Sequence, residues 1–127
     1  MSGVYSFTQL NNETLLLKID EDLDEASIAA LAQTFKQSLR DDLRGILVDR
    51  RGKYARISFE QARDLGKFVA EIVSENEIKV ALMETTRSLL SDIFSCEVYK
   101  AGGRIASFAD MTDARHWLSS EPKLAVQ

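Results

Sequence analysis

The chain has 127 residues with 16 basic and 20 acidic side chains, so its formal charge is −4, and 45% of its residues are apolar. This length and composition predict one globular domain and exclude a disordered chain. The single cysteine, Cys96, excludes a disulfide scaffold. The longest unbroken apolar run, residues 28–32, is too short for a membrane span. The excess of acidic over basic side chains predicts a protein that does not bind nucleic acid. The absence of a signal-peptide pattern predicts a cytoplasmic protein.

A β-hairpin is predicted at the start of the chain. Residues 4–8 are β-branched and aromatic with a period near two, residues 11–13 are a turn signal, and residues 14–19 are the second strand. The acidic segment 20–24 then offers N-cap carboxylates to the first helix. That helix places its apolar side chains on one face at spacings of three and four: Ile28, Leu31, Ala32, Phe35 and Leu39.

Two buried strands enclose the second helix. Residues 45–49 and 79–83 are short apolar runs of the kind that parallel sheets bury on both faces. Ser58 and Gln61 predict a capping box, in which the Ser hydroxyl and the Gln side chain satisfy each other's backbone amides. The apolar face of this helix carries Ala62, Leu65, Val69, Ile72 and Val73.

The last third of the chain repeats the alternation of helix and strand. A third helix is expected to start near Thr85 or Thr86 and to end at Gly102, which suits a left-handed cap. It presents Leu89, Leu90, Ile93 and Phe94 on one face. Residues 104–108 predict the fifth strand, and Asp110 caps a short last helix. That helix holds Ala114, Trp117 and Leu118.

The predicted element order is ββαβαβαβα. It indicates an α/β fold, a single domain with a mixed, mostly parallel five-stranded sheet and four helices that cover both faces. We expect this domain to occupy residues 1–120 and a frayed C-terminal tail to occupy residues 121–127.

Several segments resemble the SpoIIAA-like proteins of the STAS superfamily (sulfate transporter and anti-sigma factor antagonist). They are residues 46–51, 58–63, 79–82 and 108–118, of which the final Ala-x-x-Trp-Leu pattern is the most distinctive. The resemblance covers about residues 4–119. It implies a strand order near 1-3-2-4-5 and a non-enzymatic, bacterial regulatory module that docks a protein partner.

The resemblance also implies a phosphorylation site. Anti-sigma antagonists are switched at a serine that starts the second helix, and Ser58 is its counterpart here. Those proteins place Asp before that serine and small residues after it, whereas Ile57 precedes Ser58 and Phe59 follows it. Alternatively, Ser58 serves only as the N-cap of the second helix in the capping box.

The basic loop, residues 50–56, has four positive charges and no negative one. It is expected at the carboxyl end of the sheet and leads into a helix N-terminus, where free amides favour an anion. The predicted anion or phosphate site consists of Arg50, Arg51, Lys53, Tyr54, Arg56 and Ser58, with Thr85, Thr86 and Arg87 from the next loop. The alternative is a solvated loop whose cations pair with the acidic segment, with the Tyr54 ring packed on the sheet edge.

No catalytic residue, metal site or cofactor is predicted. One His and one Cys do not supply a zinc site, and no glycine-rich phosphate loop is present. His116 is expected on the surface and Trp117 is expected to anchor the last helix to the sheet. Cys96 is expected to be a small packed residue. We therefore expect a protein that is not an enzyme.

A carrier of a small ligand or lipid is the alternative function, since CRAL-TRIO lipid-binding domains have a related arrangement. A carrier requires an apolar cavity, and the candidates between the second and third helices are Phe59, Leu65, Phe68, Leu89 and Phe94. The same side chains are equally suited to fill the core. A monomer and a homodimer both remain open.

Overall fold

A computed structural model describes residues 4–85 and 88–120, and its elements follow the predicted order. The strands are β1 (Tyr5–Asn11), β2 (Thr14–Ile19), β3 (Gly45–Asp49), β4 (Lys79–Met83) and β5 (Arg104–Phe108). The helices are α1 (Glu25–Gln37), α2 (Phe59–Asn76), α3 (Leu89–Lys100) and α4 (Met111–Ser119). The predicted tail, residues 121–127, lies outside the described residues.

The sheet has the strand order β1-β2-β3-β4-β5, with β1 antiparallel to β2 and the other neighbours parallel. The order 1-3-2-4-5 that the resemblance implied is therefore wrong for this chain. The hairpin is the reason, because its short turn keeps β2 beside β1 and each later crossover moves one strand further in the same direction. The parallel strands thus show no reversal of order, and the sheet lacks the switch point at which ligands usually bind.

Helices cover both faces of the sheet, as predicted, but not equally. When the connections between parallel strands all have the same hand and move across the sheet in the same direction, their helices lie on the same face of the sheet. Accordingly, Ile46 and Val80 pack with residues of α1, α2 and α3 in one cluster. Leu47 and Ala81 point the opposite way and pack against Ala114 of α4. Three helices therefore form one layer, and α4 alone forms the other.

The predicted N-caps of three helices are confirmed. The Asp24 carboxylate accepts from the Ser27 amide at 2.9 Å, and the Asp110 carboxylate accepts from the Asp113 amide at 2.9 Å. At the start of α2, Ser58 forms the complete capping box. These caps are local in sequence, so they were readable before the fold was known.

The third helix starts later than predicted. Its N-cap is Ser88, whose hydroxyl accepts from the Ser91 amide at 3.1 Å. Thr85 precedes the helix, and Thr86 lies outside the described residues. The end was predicted correctly, since Gly102 follows α3 with a φ of 88° in the left-handed region.

Trp117 anchors α4 to the sheet, as predicted. Its ring packs on Phe108 with centroids 5.6 Å apart. The ammonium of buried Lys79 lies 5.0 Å from the Trp117 ring centroid and donates to the Trp117 and Ser120 carbonyls at 2.7 and 2.8 Å. This lysine therefore satisfies carbonyls at the end of the last helix, where a positive charge is favourable.

Two expectations about single residues have different outcomes. His116 is exposed, as predicted. Cys96 is also exposed, so its predicted packing is wrong. The buried stripe of α3 consists of Ser91, Glu97 and Val98, and Cys96 lies outside it.

Among the described residues, no helix combines the length and the apolar character that crossing a bilayer requires.

Candidate functional site

The carboxyl edge of the sheet brings two of the predicted loops together. Leu23 and Ala55 form an isolated parallel bridge beyond the ends of β2 and β3. The Leu23 amide donates to the Tyr54 carbonyl at 2.8 Å, and the Arg56 amide donates to the Leu23 carbonyl at 2.6 Å. Residues 22–24 and 54–57 thus form a continuous cover, which we call the strap.

Asp22 joins the acidic segment to the basic loop. One oxygen of its carboxylate accepts from the Tyr54 amide at 3.0 Å. The other lies 3.6 Å from Nη2 of Arg56, whose side chain is 77% exposed. An ion pair so open to solvent contributes little, so the bond to the Tyr54 amide is the stronger connection.

Arg50 is held by a network across three strands. Its Nη1 donates to Oε1 of Glu84, and its Nη2 donates to the Lys53 carbonyl at 2.9 Å. Oε2 of Glu84 accepts from the Ser107 hydroxyl at 3.1 Å. The two charged side chains are 14% and 8% exposed, so Arg50 is a neutralised, structural arginine.

Arg51 forms a two-pronged pair with Asp49, the last residue of β3. Its Nε and Nη2 lie 3.0 Å from the two oxygens of that carboxylate. Burial raises the pKa of Asp49, but the hydrogen bonds and the charge of Arg51 outweigh it, and the net pKa lies below the ordinary value. The hydrogen bond to Asp49 raises the pKa of Arg51 in turn.

Three of the four loop cations therefore face carboxylates. This pairing is what the alternative interpretation of the basic loop predicted, although only Arg56 pairs with the acidic segment itself. Among the described residues, no carboxylate pairs with Lys53. The Tyr54 ring is 58% exposed rather than packed on the sheet edge.

A small recess collects some of the predicted anion-site residues. It has a volume of about 10 Å³ and is lined by Arg50, Gly52, Lys53, Tyr54 and Thr85. This volume is near the minimum that a single water requires. Arg51, Arg56 and Ser58 do not line the recess. Thr86 and Arg87 lie outside the described residues.

An apolar cavity of about 130 Å³ lies beneath the strap. Helices α1, α2 and α3 and the helical face of the sheet form its walls, and Leu23, Ala55 and Ile57 of the strap also line it. Of the side chains predicted to line a cavity, Leu65 and Phe94 do so. Phe59 and Leu89 are instead 55% and 59% exposed.

All three helices line the cavity, although α2 and α3 pack closely against each other at Gly66. A Cβ on Gly66 of α2 would lie 2.8 Å from the Cβ of Glu97 in α3, which is closer than Cβ atoms come to other non-bonded atoms in proteins. The cavity lining also includes two small side chains, Ala32 of α1 and Ala62 of α2.

Comparisons with known proteins show which solved structures resemble this architecture. No protein-family model and no curated protein matches the chain. A solved structure from Shewanella loihica, an uncharacterised protein of the DUF3478 family with a SpoIIAA-like fold, matches 91% of this chain and 92% of its own length. Its TM-score is 0.58 and its sequence identity is 16%.

The anti-sigma factor antagonist SpoIIAA in its unphosphorylated form also matches. The match covers 91% of this chain and 97% of that chain, with a TM-score of 0.52 and 13% identity. The chain is thus an α/β protein with a mixed, mostly parallel sheet. More particularly, its fold is SpoIIAA-like, and the predicted resemblance is confirmed at the level of the fold.

Proposed function

We propose that this protein is a non-catalytic regulatory module of the STAS type that docks a protein partner at the carboxyl edge of its sheet. One observation carries the proposal. Among the described residues, the exposed large apolar side chains are Tyr54, Phe59, Leu89 and Tyr99. The first three lie in the loop after β3 and at the starts of α2 and α3, and therefore share the carboxyl edge. Clustered exposed apolar side chains are typical of interaction sites.

Charge indicates which partner surface fits this edge. Lys53 has no acidic partner within the described residues, and Arg56 is largely solvated. Aromatic residues bordered by solvent-accessible cations suit a protein surface that combines apolar and acidic side chains. The structural neighbour SpoIIAA is named as an anti-sigma factor antagonist, which is consistent with action on another protein.

The two exposed tyrosines allow a matched test of this docking surface. Tyr54 lies at the carboxyl edge, whereas Tyr99 lies near the end of α3, at the opposite edge. Tyr54→Ser is expected to weaken the affinity for a partner isolated from the native cells by about tenfold or more, as for an aromatic hot spot. Tyr99→Ser is expected to bind normally. Weakening by Tyr99→Ser alone would place the docking surface elsewhere.

An anion or phosphate site at the same rim is part of the proposal. The proposed site includes Arg50, Lys53, Tyr54 and Thr85, which line the recess. Arg51, Arg56 and Ser58, which do not line the recess, complete the proposed set. Lys53 supports it most, because the described structure shows no carboxylate in contact with its ammonium. Calorimetric titration with inorganic phosphate at low salt should give heat that Lys53→Ala removes. Lys67→Ala, an exposed change on α2, should keep the heat. A wild-type protein that gives no heat would refute the site.

Phosphorylation of Ser58 remains a prediction, supported by the exposure of this residue at the start of α2. A phosphate there would meet the positive end of the helix, where negative charge is favourable. Intact mass of protein from its native cells should show an adduct of about 80 daltons that Ser58→Ala lacks. Its absence under several growth conditions would contradict the prediction.

A carrier function is the second candidate, and the apolar cavity of about 130 Å³ is the observation that favours it. Core packing normally leaves few voids larger than a water molecule. Native mass spectrometry of the protein from its own cells is expected to show a bound small molecule. A spectrum of the bare chain alone would count against this candidate and leave partner docking untouched.

A further inference from the structure

The size of the cavity beneath the strap restricts what it can hold. Its volume is about 130 Å³. An engineered apolar cavity of roughly 150 Å³ in an unrelated protein stays dry and binds benzene. The present cavity is therefore the size of a single carbon ring and is too small to enclose a long acyl chain.

The wall of the cavity is apolar apart from Arg50, Ser88 and Ser91. Arg50 is already paired with Glu84 and bonded to the Lys53 carbonyl. The two serine hydroxyls lie 3.1 Å apart, within hydrogen-bond distance. Among the described residues, no buried side-chain nitrogen or oxygen is without a partner.

These satisfied polar groups argue against a charged ligand. An anionic head that bound Arg50 would share it with Glu84 and would bring a second negative charge close to that largely buried carboxylate. A cationic head would meet no free acidic group in the wall. An uncharged apolar molecule requires neither rearrangement, and it gains contacts with the lining side chains that the empty cavity lacks.

We propose that the cavity binds a compact, uncharged apolar molecule of about the size of one aromatic ring. This inference rests on the carrier function proposed above and names its class of ligand, and it is independent of partner docking. The strap contributes Leu23, Ala55 and Ile57 to the wall, and Arg50 and Ser88 are the other lining residues that lie outside the helices and the sheet strands.

Toluene and benzoate test the proposal, since they share a ring and differ in charge. Titrations followed by amide chemical shifts of the whole protein are expected to show saturable binding of toluene at the amides around the cavity. Benzoate is expected to bind at least about tenfold more weakly. Benzoate binding as tightly as toluene would overturn the uncharged class.

A variant that fills the cavity provides a second test of ligand binding there. Ala32 lines the cavity, so Ala32→Leu should abolish toluene binding and raise the melting temperature by filling the void. Ala29→Leu makes the same change on the exposed face of α1 and should preserve toluene binding. Toluene binding that survives Ala32→Leu would place the ligand outside this cavity.

Decanoate, which has a longer chain than a single ring, distinguishes the carrier function from the compact class of ligand. If decanoate binds and toluene does not, the carrier function stands and the compact class is wrong. If neither ligand binds and Ala32→Leu lowers the melting temperature, the void is absent in solution and both claims fail.

Discussion

At the level of single residues, carboxylates at the strand ends determine how the basic loop behaves. Asp49 ends β3 and fixes Arg51, while Glu84 follows β4 and fixes Arg50. Both carboxylates are largely buried, so breaking either pair would leave a poorly solvated charge. The two arginines therefore stabilise the carboxyl edge, and Lys53 is left as the cation most available to a ligand.

The Asp49–Arg51 pair makes stability depend on pH. The folded-state pKa of Asp49 lies below its ordinary value, so the stabilisation is complete at neutral pH and is lost as the pH falls through the folded pKa. Asp49→Asn should lower the free energy of unfolding at neutral pH by about 1–3 kcal/mol. The deficit should shrink below about pH 4. Urea unfolding across this range measures it, with the exposed Asp64→Asn as a control. A deficit that is independent of pH would contradict the assignment.

These pairs also show what the sequence alone left open. The four charges of residues 50–56 were visible, but Glu84 lies 34 positions from Arg50 and has no feature that marks it as a partner. Arg51 pairs with Asp49 only two positions away, but the sequence alone did not distinguish it from Lys53, which has no carboxylate partner among the described residues. Local charge is readable from sequence, whereas the fold decides which cations are neutralised.

At the level of elements, the close contact between α2 and α3 fixes where the core is filled and where it is not. Gly66→Ala should destabilise the protein by about 1–3 kcal/mol, because the added Cβ meets Glu97 at 2.8 Å and the Phe94 carbonyl at 3.1 Å. Lys67→Ala, the next residue and exposed, should change stability little. Chemical denaturation compares them. A Gly66→Ala protein as stable as the wild type would show that the two helices are further apart.

The strap depends on Asp22. Asp22→Ala should speed hydrogen exchange at the Tyr54 amide and cost about 0.5–1.5 kcal/mol, because it removes the acceptor of that amide. The neighbouring Glu21→Gln removes the same charge and should leave the exchange of this amide unchanged. Equal exchange in both variants would show that Asp22 does not hold the strap.

The elements differ in how far the sequence predicted them. The hairpin, the capping box and the strands were predictable, because turn residues, caps and apolar runs act within a few positions. The strand order was not, since the direction of each crossover is a property of the whole sheet. The cavity was expected between α2 and α3, whereas residues of α1 line it as well, and a glycine brings α2 and α3 into close contact at one point.

At the level of the whole molecule, the two ends of the sheet differ. At the amino end, Lys79 satisfies the last carbonyls of α4. The carboxyl end carries the strap, three of the exposed apolar side chains, and Lys53, which has no carboxylate partner among the described residues, and the cavity lies beneath it. The formal charge of −4 conceals this asymmetry. We therefore propose that a partner binds at the carboxyl edge.

Site-specific photo-crosslinking in the native cells directly tests whether a partner binds at the carboxyl edge. A photoreactive amino acid replaces Tyr54 in one sample and Tyr99 in another, so that both probes occupy exposed tyrosine positions at opposite ends of the molecule. A specific protein adduct is expected from position 54 and none is expected from position 99. A specific adduct from position 99 alone would contradict it.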